Sequence, residues 1–271
     1  MKIAILLPYK ENFSSEYPGA VSLFVNDTSQ ISKYKKNIIV FGNTSYKKIF
    51  KIKYENINLT NNPLSSQTKK YVNNFINLQK KFKITIIEVH NRPNYINQLK
   101  GRIPQKILSL YFHNDPLSMD GSKTIDDRKK LLKNCYKIIF NSNWSKKRFL
   151  EGLENKFVNS HKLVVFYQSA KRNSISILKK KKNWVTFVGK LNKAKGYDIF
   201  VQAIKIILNK YPNWRAKIIG DEKREKIVLS HKNADLLGFQ NHEKVLKIFK
   251  QTSIAVVCSR WEEPFGRTSL E

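Results

Sequence analysis

The chain has 271 residues, enough for two domains of ordinary size or one large one, and 41% hydrophobic and 12% aromatic residues to build their cores. Its formal charge of +31 comes from 51 Lys and Arg against 20 Asp and Glu, but 42 of the 51 are Lys and only 9 are Arg. Bases and phosphates are gripped in fixed geometry mainly by Arg, so this balance argues against a nucleic-acid partner, and no apolar run approaches the ~20 residues that span a bilayer.

The first segment, MKIAILLPYKEN, meets Pro8 and charge at once and has no small-residue cleavage site after it, so it reads as a buried strand over 3–7 rather than a leader. A loop, Glu16-Tyr17-Pro18-Gly19-Ala20, leads to a helix over 20–34, and the small Gly19 lets backbone approach a substrate there. Strands follow over 38–41, 84–89, 107–112, 138–140 and 163–166, with helices over 67–82, 125–134 and 145–150 between them. Strands alternating with helical patterns argue for βαβ units and buried parallel sheets. Two of these strands end in histidine: His90 precedes Asn91 and Arg92, and His113 precedes Asn114-Asp115-Pro116. A strand end carrying a polar cluster closed by Pro is a site position rather than core.

The stretch KRNSISILKKKK has no period and marks a linker, which divides the chain into a first domain over 1–172, a linker over 173–183 and a second domain over 184–271. Alternation then resumes with strands over 185–188, 216–219, 235–237 and 254–257 and helices over 197–211 and 242–250. The second half stops inside a new helix, so the chain reads as a C-terminally incomplete version of a longer protein. Cys135 and Cys258 sit far apart in apolar segments, as in a reduced cytoplasmic protein.

Two segments of the second half carry chemistry. GKLNKAKGYD, from Gly189 to Asp198, follows a strand and places Lys190 and Lys195 where they can neutralise a diphosphate leaving group. EPFGRTSLE, from Glu263 to Glu271, holds two carboxylates eight positions apart around a Pro-Phe-Gly turn. A helix starting near Gly266 would offer free N–H groups to an anion and carry Glu271 about 7 Å along its axis, at the usual rise per residue. A carboxylate there accepts hydrogen bonds from vicinal hydroxyls, so the segment suits a sugar diphosphate. The plainer alternative is an ordinary helix start with acids near it.

WEEPFGRTSLE resembles the E-x7-E signature of the family-4 retaining glycosyltransferases, which have the GT-B fold of two Rossmann-like parallel-sheet domains facing a crevice. The resemblance implies that Glu263 lies at the transferred sugar, that Phe265, Gly266, Arg267 and Thr268 hold the donor diphosphate, and that Glu271 binds the nucleotide ribose. The Gly189–Asp198 segment looks like the family's G-R-x(n)-K-G run, with Lys190 in place of the usual Arg; charge is kept but the bidentate fork is lost. His113 is similar to the family's histidine near the sugar and is expected to hydrogen-bond sugar or phosphate. Gly238, with Phe239, is similar to the strand-end Gly near the base, Gly19 to the N-terminal Gly loop (which usually has two), and His90 would line the acceptor side.

The family implies a hexosyltransferase that moves sugar, with retention, from a UDP- or GDP-linked donor to a glycan or lipid-linked acceptor in lipopolysaccharide or exopolysaccharide assembly. It would be cytoplasmic, its basic surface suited to the anionic inner face of the membrane. No cofactor or metal is expected. No zinc spacing, D-x-D motif, P-loop or G-x-G-x-x-G is present. Two rivals stay open: a nucleotide-sugar epimerase of GT-B type, and a non-enzymatic basic nucleic-acid-binding protein.

Overall fold

Residues of alternating parity along each predicted strand point to opposite sides of a sheet, so near-continuous apolar strands such as IAIL and ILSLYF must be covered on both faces. The computed structural model describes residues 1–59, 66–169 and 180–271 and divides into two units, Met1–Ser169 and Ala170–Glu271. The first unit runs β1 (Ile3–Leu6), α1 (Ala20–Ile31), β2 (Ile38–Gly42), β3 (Tyr54–Asn56), α2 (Gln67–Gln79), β4 (Ile86–His90), α3 (Pro93–Arg102), β5 (Ile107–Phe112), α4 (Ile125–Asn134), β6 (Lys137–Phe140), α5 (Asn143–Leu150) and β7 (Leu163–Val165). Its seven strands lie in the order β3-β2-β1-β4-β5-β6-β7, all parallel.

Parity decides the layers. Ala4, Leu6, Leu110 and Phe112 pack with Tyr71 and Phe75 of α2, Tyr95 of α3, Leu131 of α4 and Phe149 of α5. Ile5, Leu7, Val40 and Tyr111 face Val21, Phe24 and Val25 of α1. The expected strands and helices of this unit are present, with β3 and α3 in addition. β3 is a three-residue Tyr-Glu-Asn edge strand with no apolar period to announce it. α3 opens on Pro93, suited to a first helical turn, and buries only Tyr95, Ile96 and Leu99 besides. Local chemistry sets two starts: Thr124 caps α4 in a reciprocal box with Asp127, and Ser142 does the same for α5 with Ser145.

The second unit runs β8 (Lys182–Val188), α6 (Tyr197–Lys210), β9 (Arg215–Ile219), β10 (Ala234–Leu236), α7 (His242–Gln251) and β11 (Thr252–Val256), with parallel strand order β10-β9-β8-β11. Its core packs Val185, Phe187 and Ile218 against Tyr197, Phe200 and Ile204 of α6. β8 starts at Lys182, so the last two residues of the expected 173–183 linker are strand; 173–179 lies outside the described residues. One expectation is corrected. After Gly266 there is a single 3-10 turn, Arg267–Ser269, and not an α-helix. It closes through Ser269 N to Gly266 O (3.1 Å) and Leu270 N to Arg267 O (2.9 Å). Within the described residues so short a turn does not sum backbone dipoles as a long helix does.

Candidate active site

In the second unit the loops after adjacent parallel strands are laced together. Gly189 N donates to Ile219 O and Gly220 N to Gly238 O, which ties the ends of β8, β9 and β10. Gly220 (φ +137°) lies so close to the Gly189 carbonyl that a Cβ there would sit 1.8 Å from its oxygen. The loop after β8 is built by Asn192, whose side chain accepts from Lys195 N (3.0 Å) and donates to Glu222 (3.1 Å). Gly196 ends that loop at φ +70° and starts α6. The loop after β11 docks on it: Arg260 N donates to Ala194 O (2.9 Å), Arg260 pairs with Asp198 (2.6 Å), and the Cys258 thiol reaches Gly196 O (3.3 Å).

This lacing brings Lys195 to Glu263, with Nζ 2.5 Å from Oε1. Ser259 Oγ donates to the same carboxylate oxygen, and Lys195 Nζ lies 5.4 Å from the Trp261 ring centroid. Burial alone would push the Glu263 carboxyl up; hydrogen bonds from Lys195 and Ser259 outweigh it and hold it below the ordinary value. Lys195, Glu263, Gly189 and Thr268 line one small cleft of about 40 Å³. Glu271 forms a second cluster. Its Oε1 accepts from Arg267 Nε (2.7 Å) and His242 Nε2 (2.9 Å). Burial again raises this carboxyl, and the His242 and Arg267 hydrogen bonds outweigh burial and lower it. Glu271 and Thr268 line a larger cavity of about 380 Å³ beside β11.

Acid should therefore weaken this unit. Both carboxyls have folded values below the ordinary 4.5, so the unfolded chain takes up protons first as pH falls. The stability contributed by these pairs is complete above that value and lost as pH drops through the lowered folded values. Denaturant midpoints followed by tryptophan fluorescence should hold from neutral pH to about pH 5 and fall as pH drops further, less steeply in a Glu263→Gln/Glu271→Gln double variant. Equal slopes would place the acid sensitivity elsewhere.

In the first unit both strand-end histidines are buried and touch: His90 Nδ1 and His113 Nε2 are 2.8 Å apart. His113 Nδ1 is 2.5 Å from the Gln168 amide nitrogen, and His90 Nε2 is 2.7 Å from Glu88 Oε1. The His113 ring lies 4.5 Å from Tyr111 in a stack and edge-on to Phe24 at 5.2 Å. Its backbone is clamped as well, since His113 N donates to Asn91 Oδ1 (3.2 Å) and Asn141 Nδ2 donates to His113 O (2.9 Å). Asn91 adopts φ +55°, uncommon for a residue with a side chain.

Residues 169–271 match the family model described as Glycosyl transferases group 1. The crystal structure of Anabaena HepE in complex with UDP and glucose superposes with a TM-score of 0.68 at 17% identity, over 99% of this chain and 77% of that one. The fold is GT-B. The lipopolysaccharide outer core galactosyltransferase WaaB, in its apo form, shares it with a TM-score of 0.58 at 19% identity, over 100% of this chain and 77% of that chain. Among curated proteins, spore coat protein SA of Bacillus subtilis (strain 168) is 21% identical over 297 residues, which cover 100% of this chain and 78% of that protein.

Within the GT-B frame the predicted positions separate into clusters. Lys195, Glu263, Gly266 and Thr268 gather at the ends of β8 and β11, with Glu271 and Arg267 as a neighbouring ion pair. Lys190 is exposed on the same loop, and Phe265 is half-buried beside the Glu263 turn. Gly238 (φ +62°) closes the β10 end, with open space where a Cβ would stand. His90 is fully buried and contacts His113 rather than a surface. Gly19 starts α1 at an ordinary φ of −87°, and its lack of a side chain leaves room for the Glu11 carboxylate, which accepts from Ser22 N (2.9 Å). Sequence reasoning missed Ser259, Trp261, His242, Gln168, Glu88 and Glu11. Only His242 carried a signal, as the first residue of a helix capped by Asn241; its pairing with Glu271 spans 29 positions.

Proposed function

We propose that this chain is a glycosyltransferase that moves a hexosyl group, with retention and without a metal, from a UDP- or GDP-linked sugar to a sugar or lipid-linked acceptor. The observation that carries the reading is the ionised Glu263 held against Lys195 at the strand ends of the domain matched as Glycosyl transferases group 1. An arriving diphosphate competes for Lys195 and frees Glu263 to accept from sugar hydroxyls, so one ion pair serves both halves of the donor. Glu271, fixed by Arg267 and His242 through one oxygen, presents its other oxygen to ribose hydroxyls. The UDP and glucose of the HepE complex fit such a donor, and WaaB's role as a lipopolysaccharide galactosyltransferase fits a glycan acceptor. Surface glycan assembly on the cytoplasmic face of the cell membrane suits the +31 charge, and among the described residues no helix is long and apolar enough to cross the membrane.

The test is a panel of labelled UDP- and GDP-sugars, scored for transfer and hydrolysis with and without chelator. Turnover that survives chelation and yields product of unchanged anomeric configuration supports the reading. Epimerised donor with no transfer would replace it by the epimerase alternative. Within that assay system, Glu271→Gln should weaken nucleotide binding by about 1.5–3 kcal/mol, the usual scale for hydrogen bonds to a charged group. Unchanged calorimetric affinity for UDP and GDP removes Glu271 from the ribose site.

A further inference from the structure

The four side chains Gln168, His113, His90 and Glu88 form one unbroken line of hydrogen bonds, at 2.5, 2.8 and 2.7 Å, through the first unit. Such a line has a polarity that can be worked out link by link. A carboxylate only accepts, so the proton of the last link lies on His90 Nε2. The Gln168 amide nitrogen only donates, so His113 Nδ1 carries a lone pair and no proton. The middle link then needs one proton, and His113 Nε2–H supplies it to His90 Nδ1. Each of the three contacts then holds one proton.

We propose that Glu88, His90 and Gln168 are positioning residues that hold His113 as its Nε2–H tautomer, so that Nδ1 can serve a ligand only as a hydrogen-bond acceptor. The ring cannot turn to offer the other nitrogen, because Tyr111 stacks on it at 4.5 Å and Phe24 meets it edge-on. Gln168 meets Nδ1 with an N–H donor. A sugar hydroxyl can replace that amide, since it also donates. A phosphate oxygen without a proton cannot, because it would face a lone pair. The relay therefore selects a hydroxyl of the substrate and rejects its diphosphate at this position. This assignment of the contact rests on the transferase reading above, whereas the tautomer itself does not.

The experiment is nitrogen-15 correlation spectroscopy of the histidine rings in the full chain at neutral pH, which distinguishes protonated from unprotonated ring nitrogens. The wild-type spectrum should show His113 protonated at Nε2 and bare at Nδ1. A proton on Nδ1, alone or in a doubly protonated ring, overturns the relay without any variant being needed. Gln168→Glu places an acceptor where the donor stood. It should move the His113 proton to Nδ1, draw a second proton onto His90, and lower kcat/KM for transfer by about tenfold, the scale of a hydrogen bond made to a charged or reacting group. Unchanged ring nitrogens in that variant also overturn the relay. Inverted nitrogens with wild-type kcat/KM overturn the hydroxyl contact. A wild-type protein with the expected tautomer but no transfer of any sugar would sink the proposed function and leave the relay standing.

Discussion

Lys195→Ala should lower the rate of sugar transfer by about tenfold or more while donor affinity falls less, because charge on a leaving diphosphate grows toward the transition state. The structure adds a second consequence. Lys195 is the cation paired with Glu263 at 2.5 Å, and without it the burial that pushes this carboxyl up is opposed only by the remaining hydrogen bonds, those of Ser259 and Trp261. The variant should therefore show the acidic limb of its rate profile moved to higher pH as well as a lower plateau. Lys195→Arg keeps the charge and should recover part of both. A variant that only raises the Michaelis constant, with kcat intact, would make Lys195 a uniform binding residue.

A large effect on folding is expected at Gly196. This residue sits at φ +70°, and a Cβ built there lies 1.9 Å from the Cys258 carbonyl oxygen, a backbone atom that cannot swing aside. Left-handed backbone costs a residue with a side chain roughly 1–2 kcal/mol, and forcing apart two packed loops adds about 1–3 kcal/mol. Gly196→Ala should therefore destabilise the second unit by about 2–5 kcal/mol in denaturant unfolding, and separate Lys195 from Glu263 in whatever remains folded. A control lies close by. Gly238 also has positive φ (+62°) but open space around the added carbon, so Gly238→Ala should cost only the backbone share. Equal losses at the two glycines would mean that loop docking contributes nothing.

Much of this architecture is legible in local pattern. The apolar run of residues 107–112 predicts a buried strand, and β5 is that strand, with His113 directly after it. The Gly189–Asp198 segment likewise reads as a loop between strand and helix, and it lies between β8 and α6. β3 and α3 are not legible, because three polar residues and a ten-residue helix with few apolar positions leave no period to detect. The turn after Gly266 is misread for a related reason. Pro, Gly and a following Thr-Ser pair signal that a helical turn begins, yet they do not say whether that first turn winds as α or as 3-10.

The spacing of Glu263 and Glu271, the positions of the strand ends and the alternation of βα units follow from the order of residues alone, because each depends on neighbours within a few positions. The partners do not. Lys195 meets Glu263 across 68 positions, His113 meets Gln168 across 55, and Glu271 meets His242 across 29. Those meetings depend on which strands become neighbours: β11 pairs with β8, and β5 with β4 and β6. That choice is made by burial of both sheet faces, a property of the whole folded unit that no local window contains. Hence the sequence names the candidate carboxylates and histidines, while tertiary structure alone decides which group holds each one.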